Sequence, residues 1–175
     1  MANPITPVRF GRIRRASVTN VAETVEFDLE LGADEVALIH AAWLVLEQIL
    51  DTPAGVYDQD AAVVSLHLET EALERALDDE VDEVIRDSEI IAQWGLQSAT
   101  LDVAGGGVGF YIMHGPNPML YRQLLGGPLM VGHNLTGRFI TTDAALVMNG
   151  VEIVIAYQIA KATRDELVNL NLRRR

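Results

Sequence analysis

Apolar and charged residues alternate strictly from residue 24 to 31: Val25, Phe27, Leu29 and Leu31 fall on one side, Glu26, Asp28 and Glu30 on the other. A period of two predicts a half-buried β-strand. Ala62, Val64, Leu66 and Leu68 alternate with Val63, Ser65, His67 and Glu69, predicting a second such strand with His67 and Glu69 on its solvent side. Val151, Ile153, Ile155, Tyr157 and Ile159 share a face in the same manner. Asn149-Gly150, the strongest two-residue hairpin signal, is read as the turn between a strand over residues 137–148 and one over 151–159. A further hairpin is predicted where Leu101 and Val103 precede Gly105, Gly106 and Gly107, with Val108, Phe110 and Ile112 after them. Residues 35–50 are largely apolar throughout: alanine and leucine favour helix, the neighbouring strands favour a buried strand, and we read the stretch as strand.

The period changes once. Leu73, Leu77, Val81 and Ile85 recur every four residues with acids between them, predicting an inserted amphipathic helix over residues 71–87. Thr163 and Glu166 have the spacing of a capping box and predict a short terminal helix. Residues 32–34, 52–60, 114–118 and 126–128 have turn or loop composition, and residues 88–95 read as a linker. The expected fold is mainly β: a single-domain antiparallel sandwich or barrel with one inserted helix and a short C-terminal helix. Residues 17–172 form the domain, between a basic arm at 1–16 and a basic tail at 173–175.

At 175 residues with 49% hydrophobic and 22% charged side chains, the chain has enough apolar material for one self-sufficient core. No apolar run reaches the roughly 18 residues needed to span a bilayer, and no signal-peptide pattern follows Met1, so a soluble, unprocessed protein is expected. Cysteine is absent, which excludes disulfides, thiolate metal sites and a cysteine nucleophile together. The first fifteen residues carry four arginines and no acid, and the last three residues are all arginine. The net −12 of the chain therefore leaves −19 on the residues between. An acidic body argues against a nucleic-acid-binding face on the domain. Arg9, Arg12, Arg14, Arg15, Arg173, Arg174 and Arg175 are the candidate contact residues, for phosphates, lipid head groups or an acidic neighbour. On this reading both termini are dispensable for folding and needed for assembly. Lys161 is the lone lysine, a bias that fits either a high-salt environment or a GC-rich genome.

Chemistry is sparse. The triple glycine is followed by no Lys-Ser or Lys-Thr, so it is a turn rather than a phosphate loop. His40, His67, His114 and His133 fall in no metal-ligand spacing, though His67 with Glu69 keeps a cupin-like metal enzyme in view. His114 and His133 lie in loops from which Asp102 or Asp143 could be approached, yet no serine has a nucleophile's sequence context. The acids at 78–83 spread around a helix and read as a solvated face rather than a Ca²⁺ site. Asn134-Leu135-Thr136 matches a glycosylation acceptor, and Trp43 and Trp94 read as core or interface anchors.

The basic start RFGRIRR, the strand VEFDLELGADEVALIHA, the acidic helix running into DSEIIAQWGL and the closing VEIVIAYQIAKATRDELVNL come in a particular order. In order and character, across most of the chain, they resemble the small single jelly-roll capsid proteins of tailless icosahedral viruses, including internal-membrane viruses of halophilic archaea or bacteria. The resemblance implies a jelly roll that is no enzyme, binds no cofactor, and assembles with itself, alone or with a second capsid protein, into ring-like capsomers. It places the protein in the virion after synthesis in the host cytoplasm, with basic termini against an inner membrane, the genome or a neighbouring subunit. The competing expectations are a carbohydrate- or partner-binding β-sandwich and the cupin-like enzyme.

Overall fold

The computed structural model describes residues 2–19, 22–51, 57–68, 90–101, 108–114, 119–120, 127–141 and 146–172. The predicted helix over 71–87, the triple glycine, Asp102, Asp143 and Arg173, Arg174 and Arg175 lie outside them.

Among the described residues, eleven strands and one helix run in the order β1 (Asn3–Pro4), β2 (Arg9–Thr19), β3 (Ala22–Phe27), β4 (Glu35–Asp51), β5 (Tyr57–Leu68), β6 (Ile90–Leu101), β7 (Val108–His114), β8 (Met119–Leu120), β9 (Leu129–Val131), β10 (Leu135–Thr141), β11 (Leu146–Lys161) and α1 (Arg164–Leu172). Residues 35–50 are strand, as read. The strands form two antiparallel sheets. In the first, β11 lies between β4 and the pair β1 and β2, while β8 and β9 line the far side of β4; the second has the order β3-β10-β5-β6-β7. The two sheets bury one shared core. Ile13, Ile39, Leu44, Met148, Ile153 and Ile155 come from the first sheet, and Val64, Leu66, Trp94, Leu135 and Phe139 from the second. This is a β-sandwich, because each sheet hides an apolar face against the other. Gly137 marks a close approach: a Cβ there would lie 2.9 Å from Ile13 Cγ2 and 3.1 Å from Ile153 Cδ1.

Several expectations are corrected. Asn149-Gly150 is no hairpin, since β11 runs unbroken through it. The strand predicted from residue 24 stops at Phe27: the Asp28 carboxylate accepts the Glu30 N–H at 2.8 Å, and Glu30 takes a positive φ of 52°. Leu29 nevertheless stays in the core. Residues 88–95 are not a linker, because β6 begins at Ile90 and carries the buried Trp94. Strand β5 begins at Tyr57, inside the predicted loop. From Ala62 to His67 it is buried on both faces, and His67, expected in solvent, has no exposed surface.

In β4 the inward set shifts from Ala37 and Ile39 to Ala42 and Leu44, because β11 skips one β4 residue between its Tyr157–Ile39 and Ala156–Ala41 pairs. This β-bulge at His40 re-aims the strand and erases the alternation that would have named it. His40 Nε2 donates to Gln158 Oε1 at 2.8 Å beside it.

The helix α1 starts where the capping box predicts. The Thr163 N–H donates to Glu166 Oε2 at 2.8 Å, and Thr163 Oγ1 accepts the Glu166 N–H at 3.4 Å. Leu167 and Leu170 then pack with Val36, Leu38 and Ala160 on the outer face of the first sheet. The Thr163 N–H, foremost, holds the Glu166 carboxyl below its ordinary value of 4.5. A lowered folded-state pKa contributes stability above the unfolded value and loses it as pH falls through the folded one. Amide exchange at Leu167 should therefore accelerate relative to the sheet core as pH drops below about 4.5, and E166Q should abolish that step. Equal protection of Leu167 at pH 6 and pH 3 would contradict it. Among the described residues no helix is long and apolar enough to cross a membrane.

Candidate functional site

The segment expected as a basic arm is β2, paired along β11 from Arg9–Tyr157 to Thr19–Val147. Its pattern R-F-G-R-I-R-R is a strand alternation in its own right. Gly11 and Ile13 point inward and are buried, while Phe10, Arg12 and Arg14 point outward and are exposed. Gly11 is small because the Phe27 ring lies over it, 2.3 Å from where a Cβ would stand. The residues before β2 are fixed too: the Ile5 N–H donates to the Ile159 carbonyl at 2.8 Å, and Thr6 Oγ1 accepts the Ile159 N–H at 2.9 Å.

Of the four candidate arginines in this segment, three are engaged within the molecule. Arg12 Nη1 lies 3.0 Å from Glu152 Oε2, and Arg14 reaches Glu152 Oε1 at 3.3 Å and Glu47 Oε1 at 3.1 Å. Arg15 Nε lies 2.9 Å from Glu23 Oε2, with Nη2 donating to the Thr24 carbonyl at 3.4 Å. Glu152 is nearly buried between Arg12 and Arg14, whereas the guanidiniums themselves remain over half exposed. The arginines tie β2 to β11 and β4 and still present charge to solvent. They are part of a sheet face, not of a free extension.

Apolar side chains share that face: Trp43, read from the sequence as a core or interface anchor, with Phe10 and Val45, which sequence reasoning did not single out. Register puts Phe10 beside Ala156 and Ala41, Arg12 beside Val154 and Trp43, and Arg14 beside Glu152 and Val45. Phe10 meets Trp43 edge to face, with ring centroids 6.0 Å apart and planes at 70°. Phe10 is 65% exposed and Val45 39%. Of the two tryptophans only Trp94 is core; Trp43 is half-buried under Phe10. The available signal was the even spacing of Phe10, Arg12 and Arg14, which places an aromatic ring and two cations on one side of a strand.

The outer face of the second sheet carries a buried polar group. Arg138 lies opposite Ser65 and Thr24, and Thr136 opposite His67 and Glu26. Ser65, His67, Thr136 and Arg138 are all buried, and Ser65 Oγ lies 2.6 Å from His67 Nε2. The histidine proposed for a cupin-like centre is thus packed against a serine. Among the described residues no three His, Asp or Glu side chains converge on a metal position. Asn134 is also engaged: its amide nitrogen donates to Glu26 Oε1 at 2.6 Å, and its carbonyl oxygen accepts the Leu29 N–H at 3.2 Å. No protein-family model matches this chain, and no curated protein matches it.

Proposed function

We propose that the chain is a jelly-roll capsid subunit that assembles with copies of itself into the ring-like capsomers of an icosahedral shell. The observation that carries this reading is the nesting of strand pairs. β2 pairs with β11, β3 with β10, β4 with β9 and β5 with β6, all antiparallel. With the two-residue β1 and β8 and the edge strand β7 set aside, first pairs with last, second with next to last, and so inward. Such nesting is what one long hairpin gives when it is rolled into two facing sheets, with successive pairs falling alternately in one and the other. The sheets then carry β2-β11-β4-β9 and β3-β10-β5-β6, and β7 adds a strand at the β6 edge. The same roll serves capsids, lectins and cupins, so the fold alone leaves three roles.

The outer face of the first sheet favours assembly among them. Exposed Phe10 and Val45, set with Arg12 and Arg14, make an apolar and cationic surface of the kind found at subunit contacts. Aromatic residues and arginine are the side chains that carry most binding energy at such contacts. Basic groups that reach an inner membrane, a genome or a second capsid protein remain part of the proposal, now as residues of a sheet face.

Light scattering on the purified full chain at low and multimolar salt is the test. Masses of several subunits, with rings in electron micrographs, are the expected result. A monomer across protein concentrations and salts would overturn the reading, and a monomer retaining a metal ion would put the enzyme in its place.

A further inference from the structure

Strand β2 ends one sheet and β3 ends the other, and among the described residues neither pairs on its outer side. They lie along the same side of the sandwich, as three contacts show. Phe27 covers Gly11, Arg15 pairs with Glu23, and Arg15 donates to the Thr24 carbonyl. These contacts run antiparallel, so Arg12 stands level with Glu26 and Phe10 with Asp28. One side of the molecule thus carries a basic edge next to an acidic one. Arg12, Arg14, Glu26, Asp28 and Glu30 are all exposed there.

We propose that a second copy of the chain docks on this side, about a two-fold axis parallel to the strands. That rotation sets β2 of each copy against β3 of the other, running antiparallel, so that Arg12 faces Glu26 of the second copy twice over. A two-fold axis across the strands would instead set β2 against β2, arginine to arginine, and β3 against β3, acid to acid. Charge therefore selects one of the two arrangements, and an isologous contact doubles every interaction in it. Arg12 already holds Glu152, and Glu26 already accepts from Asn134. A guanidinium with five N–H donors and a carboxylate with two oxygens can each take a further partner. The charges also disfavour pairing of either edge with a like-charged strand. This inference rests on the assembly reading and names one of its contacts.

The experiment is a charge swap on the full chain, read as the concentration dependence of molar mass by sedimentation equilibrium at low salt. E26R sets two cations against each other at both ends of the contact and should weaken association by at least about tenfold. R12E should do the same, and the double variant R12E/E26R should recover most of the loss. Because R12E also places a carboxylate beside Glu152, R12Q provides a neutral version, and a thermal melt of each variant separates misfolding from weakened contact. Association of the wild type should also loosen toward about 1 M salt, where the screening length falls to ~3 Å. Single swaps that associate like the wild type, or a double no better than the worse single, would overturn this contact while leaving assembly standing. A monomeric wild type would instead remove the assembly reading itself.

Discussion

A chain lacking residues 1–15 is expected to lose its cooperative fold, not a dispensable arm. The deletion removes most of β2, and with it the pairs that cover β11 from Val151 to Tyr157. It takes Ile13 out of the shared core, where that side chain is 1% exposed and packs beside Gly137 and Ile153. Emptying a buried isoleucine position costs about 2–5 kcal/mol. The Phe27 ring loses the Gly11 backbone beneath it, and Glu152 loses both its arginines while staying close to buried. Against a total stability of roughly 5–15 kcal/mol, these losses together approach the whole margin. Far-UV circular dichroism with a thermal melt should show insoluble protein or a broad, non-cooperative transition. The contrasting variant replaces Arg9, Arg12, Arg14 and Arg15 by glutamine. It should still melt as a cooperative domain, because it keeps the β2–β11 backbone pairs and Ile13 in the core; exposed ion pairs contribute only about 0–1 kcal/mol each, and Glu152 is the one nearly buried carboxylate left without its cations. If the truncated chain melted like the full one, β2 would be the arm its charge suggests.

The arginine-rich start shows why sequence reading located the right residues and misjudged their setting. Four arginines in seven residues dominate any reading by charge, and only the spacing of Phe10, Gly11, Arg12, Ile13 and Arg14 records that the segment has two faces. Strands with one wet face, such as residues 24–27, were legible because their alternation survives. In strands buried on both faces the strand was legible but the burial of its second face was not: Val63, Ser65 and His67 look like a polar side, yet all three are buried. Bulges hid the rest. β4 changes its inward parity at His40, and β6 carries one extra residue, Ile91, where it passes His67 of β5, so a strict period of two fails in β4 and β6. The contact side formed by β2 and β3 was out of reach for another reason: it depends on which strands end up at sheet edges, a property of long-range pairing that no local window contains.

Gly150 is where local signal and fold conflict most, and replacing it should separate the two. Leu146 and Met148 face the core before it, Val151 and Ile153 after it, so the inward parity of β11 changes there. Neighbouring strands change at the same level: Val18 and Ile13 of β2 pair with Met148 and Ile153, and Ile49 and Leu46 of β4 pair with Met148 and Val151. The pairing on either side keeps step, with Asn149 opposite Gln48 and Ser17 and Val151 opposite Leu46 and Arg15. Three adjacent strands therefore turn over in one row, which redirects the sheet without breaking it. The residue that permits this is a glycine at φ 61°, a left-handed conformation that a β-branched residue resists. Asn-Gly signals that conformation correctly, and the hairpin was only the commoner place to find it. G150V should destabilise the protein by roughly 1–3 kcal/mol. G150N, whose side chain tolerates the left-handed region, should cost distinctly less. A Cβ at this position also stands 2.3 Å from Glu47 Cδ, the flexible end of an exposed side chain. E47A combined with G150V therefore shows how much of the loss is collision, and chemical denaturation of the four proteins measures it. Backbone strain predicts that most of the loss persists in the double variant; full recovery on trimming Glu47 would mean that space, and not φ, keeps glycine there.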